Sequence, residues 1–121
     1  MSQPGYRRVL LKLSGESLAG PQKYGLDDEV LCSLSIELKE TRSLGTQLAI
    51  VVGGGNIYRG LEGAGNGMTR VPADHMGMLA TIINAIALQN YLEKYGMQTR
   101  VMSAIEVAEL AEPYILSLIH I

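Results

Sequence analysis

The chain has 121 residues, of which 47% are hydrophobic and 18% are charged, and its formal net charge is −2. This length suits one domain or a piece of a larger one. The shortage of charge predicts that part of the surface is buried against another subunit or a missing part of the same fold. The slightly acidic balance argues against nucleic acid as a main partner, because phosphate backbones select basic surfaces.

Cysteine content and apolar runs predict the compartment. The single cysteine, Cys32, cannot form an internal disulfide and fits a reducing cytoplasm. The N-terminal residues do not have the pattern of a signal peptide. The longest apolar run, residues 76–88, is shorter than the roughly 20 residues that span a bilayer. We therefore expect a soluble, cytoplasmic protein without a membrane partner.

The first part of the sequence has the pattern strand, helix, strand. An apolar run at 9–13, which contains Lys12, predicts a buried strand. Asp27 predicts the N-cap of a helix that ends at Gly45, and 47–52 predicts a second strand. This βαβ order predicts that the two strands are parallel neighbours.

The pattern then repeats. Asp74 predicts the cap of a long helix that stops at Gly96. Its apolar residues cover more than one stripe, which predicts burial on most sides. Residues 99–103 predict a third strand. The order β-α-β-α-β predicts an α/β fold, a three-layer α/β/α sandwich with a mostly parallel sheet, in which ligands bind beyond the carboxyl ends of the strands.

Three consecutive glycines, Gly53, Gly54 and Gly55, follow the second strand. A turn needs one or two glycines, so the excess predicts bare N–H groups that face a bulky anion such as a phosphate. Arg59 would add a positive charge beside them. The segment matches neither a Walker A loop nor the dinucleotide-binding glycine pattern. A turn packed tightly on the sheet is the competing interpretation.

Other polar residues suggest a ligand site without a catalytic triad. Lys12 must either reach the sheet edge or meet an anion, because a buried unpaired lysine is costly. Asp74 can act as a helix cap or accept hydrogen bonds from sugar hydroxyls, whereas His75 is expected to be structural. Neither a transition-metal site nor a nucleophile–base triad is expected from the two histidines. Phosphoryl transfer needs neither, because it depends on positioning and on cations.

Several segments of the sequence resemble those of a known family. Three segments, with Arg70 before the third and Asn84 after it, closely resemble the bacterial UMP kinases of the amino acid kinase superfamily: 11–16 (LKLSGE), 53–60 (GGGNIYRG) and 74–81 (DHMGMLAT). The first two motifs are shared widely in the superfamily, and the third is more specific to the UMP kinases. The likeness covers residues 6–114. It implies transfer of the γ-phosphate of ATP to UMP, which gives UDP, with Mg²⁺.

The resemblance also implies roles for individual residues. The ATP phosphates would be held by six residues: Lys12, Leu13, Ser14, Gly15, Gly55 and Arg59. Of these, Lys12 and Arg59 would be the catalytic residues. UMP would be held by Gly54 and Asp74. The activator GTP would act on one loop: Gly20, Pro21, Gln22, Lys23, Tyr24 and Gly25. The family further implies UTP as a feedback inhibitor and a homo-hexamer, with a role in pyrimidine nucleotide biosynthesis.

The likeness ends after residue 114, whereas the family continues for roughly as many residues again. We therefore expect residues 1–121 to be the N-terminal portion of a single amino acid kinase-type domain, inactive alone, with 115–121 a non-native or truncated tail. Three alternatives stay open. They are a non-catalytic nucleotide- or anion-binding or storage protein, a superfamily kinase acting on a carboxylate or carbamate, and a purely structural α/β module.

Overall fold

The computed structural model describes residues 7–58, 67–103 and 112–113, the last pair through its backbone alone. Two helices and four strands occur in this part of the chain: β1 (Arg8–Leu13), α1 (Asp28–Ser43), β2 (Gln47–Val52), α2 (Arg70–Lys94), β3 (Met102–Ser103) and β4 (Glu112–Pro113). Two short 3-10 helices, Gly15–Leu18 and Gly20–Gln22, lie between β1 and α1. The predicted tail, 115–121, lies outside the described residues.

The strands β1 and β2 pair in parallel, from Arg8 opposite Gln47 to Leu13 opposite Val52. This pairing confirms the predicted βαβ unit. The shorter strands β3 and β4 are also parallel and form a sheet of their own. In the described part of the chain, β3 has two residues rather than the five predicted and is not hydrogen-bonded to β1 or β2.

The ends of α1 follow from local sequence. Asp27 adopts an extended backbone, and its Oδ1 accepts a hydrogen bond from the Val30 N–H at 2.9 Å, as expected for an N-cap. After the last turn, Gly45 has a φ of 93°, a left-handed conformation that strains other residues. Both predicted ends of this helix are therefore confirmed.

The start of α2 differs from the prediction, because the helix begins at Arg70 with Thr69 in the cap position. Pro72 lies in the first turn, where its missing N–H needs no acceptor, so the helix can extend back past it. Asp74 is therefore in the second turn, and its predicted role as a cap is wrong. The predicted stop at Gly96 is confirmed by its φ of 85°.

Both helices contribute to one apolar core with the sheet. Its buried members are Leu18, Leu31, Leu38, Leu88 and Leu92, and half-buried residues of β1 and β2 pack against them. On the other face of the sheet, Leu10 is 44% and Val51 52% exposed. The described residues thus contain one of the two helical layers of the predicted sandwich.

The predicted burial of α2 on most sides is wrong for the described structure. A stripe to one side of its core face is exposed and includes Met76, Leu79 and Ile83. The helix has 25 residues, and by length and composition alone it is apolar enough to cross a membrane. The sequence argument that no segment is long enough to span a bilayer is therefore wrong for α2, although core helices of soluble proteins share this composition.

A tyrosine connects the two helices. The Tyr91 hydroxyl on α2 donates a hydrogen bond to Asp28 Oδ1 in the first turn of α1, at 2.6 Å. This hydrogen bond, followed by burial and by the negative charge of Asp28, raises the pKa of Tyr91 from 10.0 to about 12. Because the pKa is raised in the folded state, the resulting stabilisation is complete below pH 10 and is lost as the pH approaches 12.

Tyr91→Phe should therefore lower the urea midpoint of unfolding at neutral pH, and the difference from the parent should shrink between pH 10 and 12. Urea titrations across this range test the prediction. Tyr24→Phe is the control, because that ring is 71% exposed. A difference between parent and Tyr91→Phe that stays constant across the range would contradict the assignment.

Candidate functional site

Two loops leave the sheet side by side at the carboxyl ends of β1 and β2. Leu13 and Val52 are paired as the last residues of the two strands, so Ser14–Gly15 and Gly53–Gly55 begin at the same edge. The Gly53 N–H donates to the Leu13 carbonyl oxygen at 2.9 Å and extends the strand pairing by one bond. The edge at which the sequence predicted ligand binding is thus formed by these two loops.

Gly15 lies against the main chain of the glycine loop. A Cβ added at Gly15 would be 2.6 Å from the Gly55 nitrogen and 2.5 Å from Asn56 Oδ1. Such distances are shorter than real Cβ contacts, so only glycine fits without movement of the loop. The two loops are therefore in direct van der Waals contact.

Close packing also explains two of the three consecutive glycines. A Cβ on Gly54 would be 2.8 Å from the Ala80 Cβ and 2.9 Å from the Thr81 nitrogen of α2, and one on Gly53 would be 3.3 Å from the Gly15 nitrogen. Three consecutive glycines are therefore not in themselves evidence of a ligand. The inference from their number to a bound anion was wrong. The competing interpretation, tight packing, holds for Gly53 and Gly54.

The main-chain amides of the loop are stronger evidence for an anion site than the number of glycines. Within residues 7–58 and 67–103, the N–H groups of Gly54, Gly55 and Asn56 have no hydrogen-bond acceptor. Gly54 and Asn56 are buried, and buried amides are nearly always paired. Successive amides of this kind, at the end of a parallel strand, are typical of anion sites. These N–H groups therefore suit a ligand with acceptor oxygens, such as a phosphate.

Lys12 lies one residue before the end of β1, opposite Val51. Its side chain is exposed, because β1 alternates and Lys12 is on the face away from the helices. The sequence argument from the cost of burying a lysine is therefore wrong. The position of Lys12 next to the two loops nevertheless leaves its ammonium group available to an anion at the sheet edge. Arg59, the second predicted cation, lies outside the described residues.

Asp74 is paired within its own helix. The Arg70 Nε lies 3.1 Å from Asp74 Oδ1 and 3.0 Å from Oδ2, and both side chains are partly exposed. Asp74 lies six residues before Ala80, which contacts Gly54, so the two predicted UMP contacts are about 9 Å apart along the helix axis. That spacing is compatible with contacts to separate parts of one nucleotide.

The loop of residues 20–25 contacts the glycine loop directly. Gly25 donates its N–H to the Asn56 carbonyl oxygen at 2.8 Å and accepts a hydrogen bond from Asn56 Nδ2 at 2.7 Å. Lys23 has a left-handed backbone with φ 67°, and Tyr24 is 71% exposed. The segment predicted to respond to GTP is therefore hydrogen-bonded to the glycine loop, through Gly25 and Asn56.

Sequence reasoning missed two buried residues of the site, Asn56 and Asn84. Their side-chain amides are hydrogen-bonded to each other in both directions, at 3.1 and 2.6 Å. The sequence did contain a signal, because a polar Asn84 inside an otherwise apolar helix needs a buried partner. Within the described residues, no group of three or more His, Cys, Asp or Glu side chains could hold a metal ion.

This chain is similar to known proteins in both sequence and structure. The sequence pattern of the amino acid kinase family matches residues 7–116. A crystal structure of the UMP kinase from Bacillus anthracis is 40% identical, with a TM-score of 0.83 over 91% of this chain and 46% of that one. The UMP kinase from Ureaplasma parvum is 34% identical, with a TM-score of 0.83 over 94% and 48%. The chain thus spans about half the length of these solved structures.

Proposed function

Because this chain belongs to the amino acid kinase family, we propose that it is the N-terminal portion of a UMP kinase. The complete polypeptide transfers the γ-phosphate of ATP to UMP and gives UDP. The two similar structures are UMP kinases, and each is about twice as long as this chain. We use "full-length enzyme" for the polypeptide that joins this sequence to a counterpart of their second half.

One observation carries the proposal: the main-chain amides of Gly54, Gly55 and Asn56 have no acceptor among the residues that the structure describes. Phosphoryl transfer depends on holding two phosphate groups in line and on stabilising charge at the transferred group. The amide of Gly55 is assigned to an ATP phosphate and Gly54 to UMP. Both loops meet at this edge, so donor and acceptor phosphates can be bound next to each other.

Charged side chains complete the assignment. Lys12 and Arg59 stabilise the negative charge that develops on the transferred phosphoryl group. Leu13, Ser14 and Gly15 line the ATP side through their main chain, and Asp74 accepts hydrogen bonds from the UMP ribose. This last role requires that Asp74 exchange or share its pairing with Arg70.

Mg²⁺ belongs to the proposal as the ion that ATP brings with it, and it supplies further neutralisation of phosphate charge when bound. The donor set suits this arrangement, because the described edge offers amide donors and Lys12, which bind phosphate oxygens rather than metal. The ion would therefore be held mainly by the nucleotide.

The remaining assignments concern regulation and assembly. The loop of Gly20, Pro21, Gln22, Lys23, Tyr24 and Gly25 is proposed to respond to the activator GTP, which its two hydrogen bonds to Asn56 support. UTP inhibition, a homo-hexamer and a cytoplasmic role in pyrimidine nucleotide biosynthesis, without membrane contact, are proposed from the family. The exposed apolar stripe on α2 supports burial between subunits.

The test is a coupled assay of ADP release with UMP and ATP, together with identification of UDP. The full-length enzyme should turn over, and the 121-residue chain should not, because half of the relatives' length is absent from it. Nucleotide binding by the full-length enzyme without ADP formation would instead indicate a binding or storage protein. An enzyme-like rate from the 121-residue chain would contradict the assignment of an incomplete site.

A further inference from the structure

Asn56 and Asn84 form a closed pair of amides beneath the glycine loop. Asn56 is 3% exposed and Asn84 is fully buried. Asn84 Nδ2 donates to Asn56 Oδ1 at 2.6 Å, and Asn56 Nδ2 donates to Asn84 Oδ1 at 3.1 Å. The residues are 28 positions apart, one in the loop and the other on α2. The pair therefore joins the loop to the helix on which it packs.

Each amide also donates its second hydrogen to a main-chain carbonyl oxygen. Asn84 Nδ2 lies 2.7 Å from the Gly53 oxygen, and Asn56 Nδ2 lies 2.7 Å from the Gly25 oxygen. All four amide hydrogens are thus used. Because carbonyl oxygens only accept hydrogen bonds, turning either amide over would place oxygen against oxygen. The orientation of both side chains is consequently fixed by chemistry.

The pair acts at two points of the glycine loop. Gly53, held by Asn84, comes directly before the three amides that have no acceptor in the described part of the chain, and Asn56 itself carries the last of them. The loop is packed on α2 at Gly54, so its conformation has little freedom once the amide pair has formed. The directions of the three N–H groups therefore depend on both asparagines.

We propose that Asn56 and Asn84 are positioning residues for phosphoryl transfer, which set the main-chain amides of Gly54, Gly55 and Asn56 toward the phosphates. The inference rests on the proposed function and deepens it. Neither side-chain amide needs to touch the nucleotide, because all four hydrogens are used within the protein. A loop displaced by even 1 Å would lose catalytic geometry, an effect of roughly a hundredfold in rate.

The decisive variant is Asn84→Asp in the full-length enzyme. It keeps the shape of the side chain, but Nδ2 becomes a carboxylate oxygen that faces both the Gly53 carbonyl oxygen and Asn56 Oδ1, so two donated hydrogen bonds are lost. We expect kcat to fall about tenfold to a hundredfold when it is measured well below the melting temperature. The loss should become smaller as the pH is lowered, because a protonated carboxyl regains one donor.

Asn90→Asp is the matched control, since Asn90 is on the same helix and exposed. It should leave kcat and its pH profile unchanged. An Asn84→Asp enzyme with parent-like kcat and KM but a lower melting temperature would show a purely structural role and overturn the inference. A parent enzyme that makes no UDP would instead remove the proposed function, so the two failures are distinguishable.

Smaller variants keep the test decisive if Asn84→Asp does not fold. Asn56→Ser, Asn84→Ser and the double variant form a cycle in which each serine leaves room for water. If the two asparagines act as one unit, the double variant should lose about as much kcat as either single variant. Losses that multiply would mean that the asparagines act independently, and that result would overturn the pair as a positioning unit.

Discussion

Replacing Gly15 with alanine should abolish most of the phosphoryl transfer by the full-length enzyme. The new Cβ would lie 2.6 Å from the Gly55 nitrogen and 3.0 Å from the Gly54 carbonyl carbon, both main-chain atoms that cannot swing aside. The glycine loop must therefore shift away from β1. We expect a decrease in kcat/KM of roughly a hundredfold or more and a loss of stability of about 1–3 kcal/mol. Steady-state ADP release and urea unfolding measure the two effects.

Gly45→Ala separates stability from catalysis. It makes the same chemical change at a site with open space, where a φ of 93° strains alanine by about 1 kcal/mol. It should therefore unfold more easily and yet keep the parent's kcat/KM. If Gly15→Ala behaves like Gly45→Ala in both assays, contact between the two loops is not required for activity.

Removing the charge of Lys12 should have the second large effect. Lys12→Met keeps most of the length of the side chain but loses the ammonium group, at a position next to the two loops of the candidate site. We expect kcat to fall by a factor on the order of 10²–10³, as for other groups that stabilise transition-state charge. Because Lys12 is exposed, stability should change by less than about 0.5 kcal/mol.

The matched control is Lys39→Met on the exposed side of α1, which should leave kcat unchanged. Lys12→Arg keeps the charge on a larger group and should retain more activity than Lys12→Met. A Lys12→Met enzyme with normal kcat would show that the cation at the end of β1 has no part in catalysis.

The parts of the fold that local signals determine were predictable from sequence. The Asp27 cap and the two glycine stops depend on a few neighbouring residues, and all three were found by their residue type. The helix start at Arg70 was missed because Asp74 is a strong capping residue and Thr69 caps without a side-chain hydrogen bond. Thr69 and Asp74 are both residue types that can cap a helix. Because Pro72 is tolerated in the first turn, the helix can begin before it, at Arg70.

What could not be predicted depends on contacts between distant segments. The Asn56–Asn84 pair joins residues 28 positions apart, and no short motif encodes that distance. The glycine loop was placed correctly at the sheet edge, but the reason for Gly54 is the approach of Ala80, which only the packed structure reveals. In the same way, the sequence of α2 shows an apolar stripe but does not indicate which segment packs against it.

The register of β1 against β2 determines when the two loops of the candidate site come together during folding. Arg8 and Gln47 are 39 residues apart, so closing this pair costs chain entropy that α1, a local structure, does not. The two loops meet only after that step. A ligand of the proposed site would therefore recognise the chain only late in folding, and it would act mainly by slowing unfolding rather than by speeding folding.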